Sequence, residues 1–279
     1  MEAPSWLGGI RYFALDLDGV TWIGKRALPG IAELLALIRG SGVGVAFLSN
    51  NSTRNRDGVV AKFEELGLSA KPEEIYTTNY IAGFFLKEWA PDANVVVIGS
   101  EQLAEEVRKH GVNVLPWDTD GQADVVLMGL DLDTNYARLR AACLQVERGA
   151  ALIGTNSDFT YPVDGGFLAP GNGSFVEMVA EVTGAVPKYL GKPEPFLIEI
   201  LLKDAGTRPD QVLLVGDRLD TDIATAKRTG LRSALVRTGV DANADLAYVA
   251  ANLQPDINVK DAYELAALLR KAGFSATNK

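Results

Sequence analysis

The chain has 279 residues, a hydrophobic fraction of 47% and a formal net charge of -9. This composition predicts a folded chain of one large or two modest domains, and the negative charge argues against a nucleic-acid-binding surface. The chain contains one cysteine, Cys143, and one histidine, His110. Serine–histidine–aspartate triads, cysteine–histidine pairs and histidine-rich zinc sites are therefore disfavoured.

The first residues, MEAPSWLGGIRYF, have neither the basic start nor the long apolar run of a secretory signal peptide. The sequence has no run of about 18 apolar residues, so we expect no membrane span. Both observations favour a cytoplasmic protein.

Short apolar segments alternate with helical patterns at the start of the chain. The segments YFALDLD and VGVAFLSNN are typical of strands, and GIAELLALIRGSG and RDGVVAKFEELGL have helical spacing. This alternation predicts parallel strands that are joined by crossover helices.

A second alternating pattern occupies the middle of the chain. Its predicted strands are NVVVIGS, VNVLPW, ADVVLMGLD and AALIGTN, and its predicted helices are EQLAEEVRKHG, NYARLRAACLQVERG and GNGSFVEMVAEVTG. The segment SDFTYPVDGGFLAPGNG is rich in Gly, Pro and Asp and predicts a long loop.

The last third of the chain returns to the same alternation. QVLLVGD and RSALVRTG are predicted strands, and PEPFLIEILLKDAG, TDIATAKRTG and DAYELAALLRKAG are predicted helices. We expect the chain to pass from one domain to the other at FFLKEWAPDAN and at GAVPKYLGKP.

Three of the predicted strands end in polar residues. These are Asp16 with Asp18, Ser49 with Asn50, and Asp217 with Asp222. In open α/β sheets, ligands bind beyond the carboxyl ends of the strands. Carboxylates that gather there repel one another unless a cation is present. Because the candidate ligands are all oxygen atoms, we expect Mg²⁺ rather than Zn²⁺.

Groups that suit a phosphate accompany these carboxylates. The Ser49 hydroxyl and the Asn50 backbone N–H follow a strand, and Lys192 precedes a predicted helix start. Each motif alone also fits a turn, a helix cap or an ordinary loop. Their joint occurrence at strand and helix ends favours a phosphate site.

The segments DLDGV, LSNNS, GKP and GDRLDTDI resemble, in this order, the four motifs of the haloacid dehalogenase (HAD) superfamily of phosphatases. GLDLDTNYARL, IGTNSDFTYP and PGNGSFVEMV resemble the cap of its subfamily IIA, the branch of NagD, p-nitrophenyl phosphatase and phosphoglycolate phosphatase. The resemblance implies an α/β fold, a Rossmann-like doubly wound parallel-sheet core domain with an inserted α/β (C2-type) cap domain. The implied ranges are 1–82 and 187–279 for the core and 83–186 for the cap.

The resemblance also implies a role for each acid. Asp16 would be the nucleophile, forming an aspartyl-phosphate, and Asp18 the general acid and then the general base, in contact with the phosphoryl group. Mg²⁺ would be held by the Asp16 carboxylate, the Asp18 backbone carbonyl and Asp217. Asp222 would support this set of ligands.

Further residues are expected to bind the substrate. Ser49, the Asn50 amide and Lys192 would bind the phosphoryl oxygens. A cap inserted between Asn50 and Lys192 would close over the site and exclude water. Asn156 and Asp158 in its long loop are candidate substrate contacts, and a surface loop with Asx turns is the alternative.

The resemblance therefore implies a Mg²⁺-dependent phosphatase of small phosphorylated metabolites. Sugar phosphates, glycerol phosphate, phosphoglycolate, nucleotides, pyridoxal phosphate and p-nitrophenyl phosphate are all open as substrates. The alternatives are a phosphomutase, which the large cap disfavours, and a non-catalytic sensor, which has no need for both Asp16 and Asp18. We expect no nucleic-acid or membrane partner, and a homodimer is left open.

Overall fold

The structure is a computed structural model that describes residues 2–162 and 167–275. The chain folds into two compact units. The first comprises Met1–Ser49, Val60–Tyr76 and Lys192–Lys279, and the second Asn50–Val59 and Thr77–Gly191. The domain ranges expected from the sequence differ from these units at residues 50–59, 77–82 and 187–191, and those ranges stay a prediction.

The described residues form strands throughout the chain. In chain order they are β1 Tyr12–Asp16, β2 Trp22–Ile23, β3 Arg26–Ala27, β4 Gly44–Ser49, β5 Ile75–Thr77, β6 Asn94–Ile98, β7 Asn113–Leu115, β8 Val125–Met128, β9 Ala151–Gly154, β10 Thr160–Pro162, β11 Leu168–Pro170, β12 Lys188–Tyr189, β13 Val212–Gly216, β14 Arg232–Val236 and β15 Ile257–Val259.

Helices connect most of these strands. In chain order they are α1 Ile31–Gly40, α2 Arg56–Glu65, α3 Thr78–Trp89, α4 Glu101–Lys109, α5 Tyr136–Glu147, α6 Asn172–Thr183, α7 Phe196–Ala205, α8 Ala224–Thr229 and α9 Ala262–Lys271. None of the helices in the described part of the chain is long and apolar enough to cross a membrane.

The main sheet has the strand order β15-β14-β13-β1-β4-β5, and β1 lies at its centre with parallel partners on both sides. Its residues Phe13, Ala14 and Leu15 are fully buried. A central parallel strand is covered on both faces, which explains why this segment is a continuous apolar run. The register pairs Asp16 with Leu48 and Leu15 with Val215, so β1, β4 and β13 end at one edge of the sheet.

The second unit contains its own sheet, in the order β12-β9-β8-β6-β7, and each of its pairs is parallel. One face packs against α5 and α6 through buried apolar side chains. Among these are Val96, Ile98, Val126, Met128, Ala142, Val176 and Val179. The two parallel sheets confirm the predicted α/β class, a Rossmann-like core with an inserted α/β cap domain.

One local prediction is wrong. The segment expected to be a long loop contains an antiparallel pair, β10 with β11, in which Tyr161 lies opposite Ala169. Residues 163–166 lie outside the described residues. Strands of three residues next to prolines carry little local signal, because pairing with a distant segment determines them.

Candidate active site

Three carboxylates meet at the carboxyl edge of the main sheet. Asp16 ends β1, Asp217 follows β13, and Asp222 lies in the π-helical turn Leu219–Ile223. One oxygen from each carboxylate lies within 4.8 Å of the others, and all three residues are buried. A close set of oxygen ligands of this kind fits a hard divalent cation such as Mg²⁺.

Glycines allow the backbone to approach these carboxylates. A side chain at Gly216 would overlap Asp222, and one at Gly239 would overlap Asp217. Gly19 also lies against Asp217, and its φ of 88° is in the left-handed region that favours glycine.

Lys192 links two of the carboxylates. Its Nζ donates to Asp16 Oδ1 at 2.5 Å and to Asp222 Oδ1 at 2.6 Å, and the residue is only 3% exposed. Burial by itself lowers the pKa of the Lys192 ammonium, but the charges of Asp16 and Asp222 outweigh it and raise the pKa above its ordinary value. The lysine is therefore charged at neutral pH.

The carboxylates of this cluster outnumber its one lysine. Burial, with a contribution from Asp222, raises the pKa of Asp217 to about 7, although the Val240 N–H donates to Asp217 Oδ2 at 2.6 Å. Burial also raises the pKa of Asp16 well above its ordinary value, and Lys192 opposes that rise. A divalent cation would stabilise the ionised form of these carboxylates, so the residues present fit such an ion.

The structure places two other predicted residues in the same unit. Ser49 is buried at the end of β4, beside the strand that carries Asp16. Asp18 lies two residues beyond Asp16, and its side chain is 58% exposed. Its Oδ1 accepts a hydrogen bond from the Trp22 indole at 2.9 Å.

The remaining predicted residues contact one another in the second unit. Asn156 Nδ2 donates to the Asn50 carbonyl at 2.7 Å, and Asn50 Nδ2 donates to Asp158 Oδ2 at 3.3 Å. The Asp158 N–H donates to Asn156 Oδ1 at 3.1 Å, which is the Asx-turn geometry of the structural alternative. The substrate roles of Asn50, Asn156 and Asp158 stay a prediction.

The segment after β14 supports the site, and the sequence did not indicate it. Thr238 Oγ1 donates to the Gly19 carbonyl at 2.5 Å, and the Leu219 N–H donates to Asp241 Oδ2 at 2.7 Å. The Thr238 bond ties this segment to the turn after β1, and the Leu219 bond and the contact from Val240 tie it to the segment that carries Asp217 and Asp222. The available signal was positional, since RSALVRTG is another strand that ends at the same sheet edge.

A parallel α/β core with clustered carboxylates and a buried lysine at its carboxyl edge suits an enzyme that acts on phosphate groups. Residues 13–113 match the model of the haloacid dehalogenase-like hydrolases, and residues 189–265 match a second model, described as HAD-hydrolase-like. The chain belongs to the haloacid dehalogenase-like hydrolase family.

Similar proteins narrow this assignment. An acid sugar phosphatase of Staphylococcus aureus (strain MRSA252) is 33% identical over 261 residues, which cover 94% of this chain and 98% of the relative. The structure of a 4-nitrophenylphosphatase from Thermotoga maritima is 28% identical, with a TM-score of 0.87 and coverage of 94% and 98%. A glycerol phosphate phosphatase from Mycobacterium tuberculosis in complex with magnesium is 32% identical, with a TM-score of 0.87 and coverage of 100% and 82%. These likenesses confirm the predicted subfamily IIA phosphatase, a phosphoric monoester hydrolase.

Proposed function

We propose that this chain is a Mg²⁺-dependent phosphatase that hydrolyses small phosphorylated metabolites through a phosphoenzyme on Asp16. The observation that carries the proposal is the position of Asp16, which belongs to the carboxylate cluster and is also paired with Lys192. The names of the relatives, which act on sugar phosphates, glycerol phosphate or 4-nitrophenyl phosphate, support this substrate class. A cytoplasmic location is part of the proposal, and a homodimer stays open.

Asp16 and Asp217 would hold the Mg²⁺ with the Asp18 backbone carbonyl as a further ligand, and Asp222 would support this set of ligands. When bound, the ion would supply positive charge that stabilises the transferring phosphoryl group. The glycines at 216 and 239 leave room for the carboxylates to converge on it.

The reaction has two displacement steps. In the first, an Asp16 carboxylate oxygen attacks phosphorus, the bond from phosphorus to the ester oxygen breaks, and Asp18 gives its proton to the departing oxygen. In the second, Asp18 takes a proton from water, the water oxygen attacks phosphorus, and the bond to Asp16 breaks. Inorganic phosphate leaves, and Asp18 carries a proton again.

Lys192 serves both steps by holding Asp16 and by placing positive charge beside the phosphoryl group. Ser49 and the Asn50 amide are proposed to bind phosphoryl oxygens.

The proposal is tested by phosphate release from a panel of phosphate esters, with Mg²⁺ and with EDTA. We expect release only with the metal, and a loss on the order of 10³-fold or more in Asp16→Asn. The matched control is Asp220→Asn, because Asp220 is an exposed neighbour that pairs with Arg218 at 2.8 Å. No phosphate release from any ester, or isomerisation of a sugar phosphate in place of release, would contradict the proposal.

A further inference from the structure

The indole of Trp22 is joined to Asp18 through both backbone and side chain. Trp22 Nε1 donates to Asp18 Oδ1 at 2.9 Å. The Gly19 N–H donates to the Trp22 carbonyl at 2.8 Å, and the Trp22 N–H donates to the Leu17 carbonyl at 3.0 Å. The carboxylate and the indole therefore belong to one tight turn that follows β1.

Packing fixes the direction of the indole N–H. Trp22 is 2% exposed and meets Phe63 edge to face, with ring centroids 5.0 Å apart. Phe63 in turn contacts Phe47 of β4, with centroids 4.5 Å apart. Any rotation of the indole would break these ring contacts, so its N–H keeps one orientation.

Lys62 of α2 contacts both members of this pair. Its Nζ lies 4.1 Å from the centroid of the Trp22 ring and 3.9 Å from Asp18 Oδ1. A cation on the face of an indole draws electron density from the ring, which strengthens the N–H as a donor. The indole N–H of Trp22 and the ammonium of Lys62 both face Oδ1 of Asp18. This leaves Oδ2 as the oxygen that exchanges the proton.

These contacts matter because Asp18 itself is largely exposed. An exposed aspartate samples several rotamers, whereas a general acid must keep its oxygen within hydrogen-bond reach of the leaving group. We propose that Trp22 is a positioning residue that, with Lys62, holds Asp18 in the orientation needed for proton transfer. This inference rests on the role of Asp18 in the proposed function.

The identity of the leaving group separates positioning from general structural support. An alkyl phosphate such as glycerol phosphate needs a proton on its departing oxygen, whereas p-nitrophenolate leaves readily without one. The kinetic constant kcat/KM covers the steps up to the phosphoenzyme, in which this proton is given. A loosened Asp18 therefore lowers kcat/KM for the alkyl ester selectively, while a general structural defect lowers both values together.

The main variant is Trp22→Phe, which keeps an aromatic ring against Phe63 and removes the N–H donor. We expect kcat/KM for glycerol phosphate to fall about 10–100-fold and that for p-nitrophenyl phosphate less than about 3-fold. Lys62→Met keeps the apolar stem over the indole and removes the charge, so we expect a smaller selective loss. The control is Phe274→Leu, which removes a different ring contact, at 5.6 Å from Phe13, and should change both substrates equally.

Asp18→Asn separates failure of this inference from failure of the proposed function. A selective loss on glycerol phosphate in both Asp18→Asn and Trp22→Phe supports the inference. A selective loss in Asp18→Asn, with equal or no losses in Trp22→Phe, overturns the inference and leaves the proposed function intact. Equal losses in Asp18→Asn overturn the role of Asp18, and the inference falls with it. If circular dichroism shows that Trp22→Phe is unfolded, Lys62→Met decides: a selective loss supports the inference, and its absence overturns it.

Discussion

Replacement of Lys192 by methionine tests whether this lysine holds the carboxylate cluster together. The lysine is buried and pairs with Asp16 at 2.5 Å and with Asp222 at 2.6 Å. Removal of one partner from a buried ion pair costs about 3–5 kcal/mol, because the remaining charges lose their compensation. We expect the free energy of unfolding of Lys192→Met to fall by this amount in EDTA at neutral pH.

Urea denaturation in EDTA and in excess Mg²⁺ measures this effect. Since the variant cluster lacks the lysine that pairs with it, we expect Mg²⁺ to stabilise Lys192→Met more than the wild type. The control is Lys227→Met. Lys227 lies nearer the surface than Lys192, and its Nζ is 3.2 Å from Asp256 Oδ1. This pair should contribute less than about 1 kcal/mol to the free energy of unfolding. Equal stability of Lys192→Met and wild type in EDTA, or equal stabilisation of both by Mg²⁺, would refute the reasoning.

Three further predictions concern the glycines and the titrating carboxylates. Gly239→Ala places a methyl group against Asp217 and should weaken Mg²⁺ binding at least about tenfold, as measured by calorimetry. The control is Gly9→Ala, which has open space around the added methyl group and should leave the affinity unchanged. Equal Mg²⁺ affinities of the two variants would contradict this prediction. The pKa of Asp217 in the folded protein is about 7, which is above its ordinary value. The free energy of unfolding in EDTA should therefore fall as the pH rises from about 4 to 7, and Mg²⁺ should remove this decline. Urea midpoints that do not change with pH in EDTA would contradict this prediction. Burial raises the pKa of Asp256, but bonds from the Ser233 hydroxyl and N–H at 2.8 Å lower it overall. Asp256→Ala should therefore cost about 1–3 kcal/mol at neutral pH, and the cost should shrink as the pH falls below about 4; a cost that is the same at both pH values would refute this.

The sequence indicates the position of Asp16 because that position depends on a pattern of neighbouring residues. A continuous apolar run that ends in polar residues is typical of a central parallel strand, and the structure places YFALD at the centre of the main sheet. The alignment of Ser49 and Asp217 with Asp16 follows from the rule that parallel strands share a carboxyl edge.

Interactions between distant segments were not available from local patterns. The pair between Lys192 and Asp16 joins residues 176 positions apart, and the bond between Thr238 and Gly19 spans 219 positions. Their geometry depends on how the crossover segments return to the sheet. The indole of Trp22 is similar, since its direction is set by packing against Phe63 rather than by its own neighbours in sequence.

Helix α3 has a recognisable start signal in the sequence. The domain crossing expected at FFLKEWAPDAN stays a prediction, and Phe84–Trp89 of that segment lie inside α3. Thr77 caps this helix by accepting a hydrogen bond from the Tyr80 N–H at 3.3 Å, and a threonine in that position is a recognisable helix start. The aromatic residues of the segment have weaker helix propensity, which made the helix less evident from the sequence.

The central claim, that Asp16 carries the phosphoryl group, is tested most directly with Asp18→Asn and p-nitrophenyl phosphate in the presence of Mg²⁺. Since p-nitrophenolate leaves without a proton while water attack needs a base, the phosphoenzyme should accumulate in this variant. The account predicts a burst of one p-nitrophenolate per chain, together with one phosphoryl group on the peptide that contains Asp16 in acid-quenched mass spectra. A linear time course with no modified peptide, or a phosphoryl group on another residue, would contradict it.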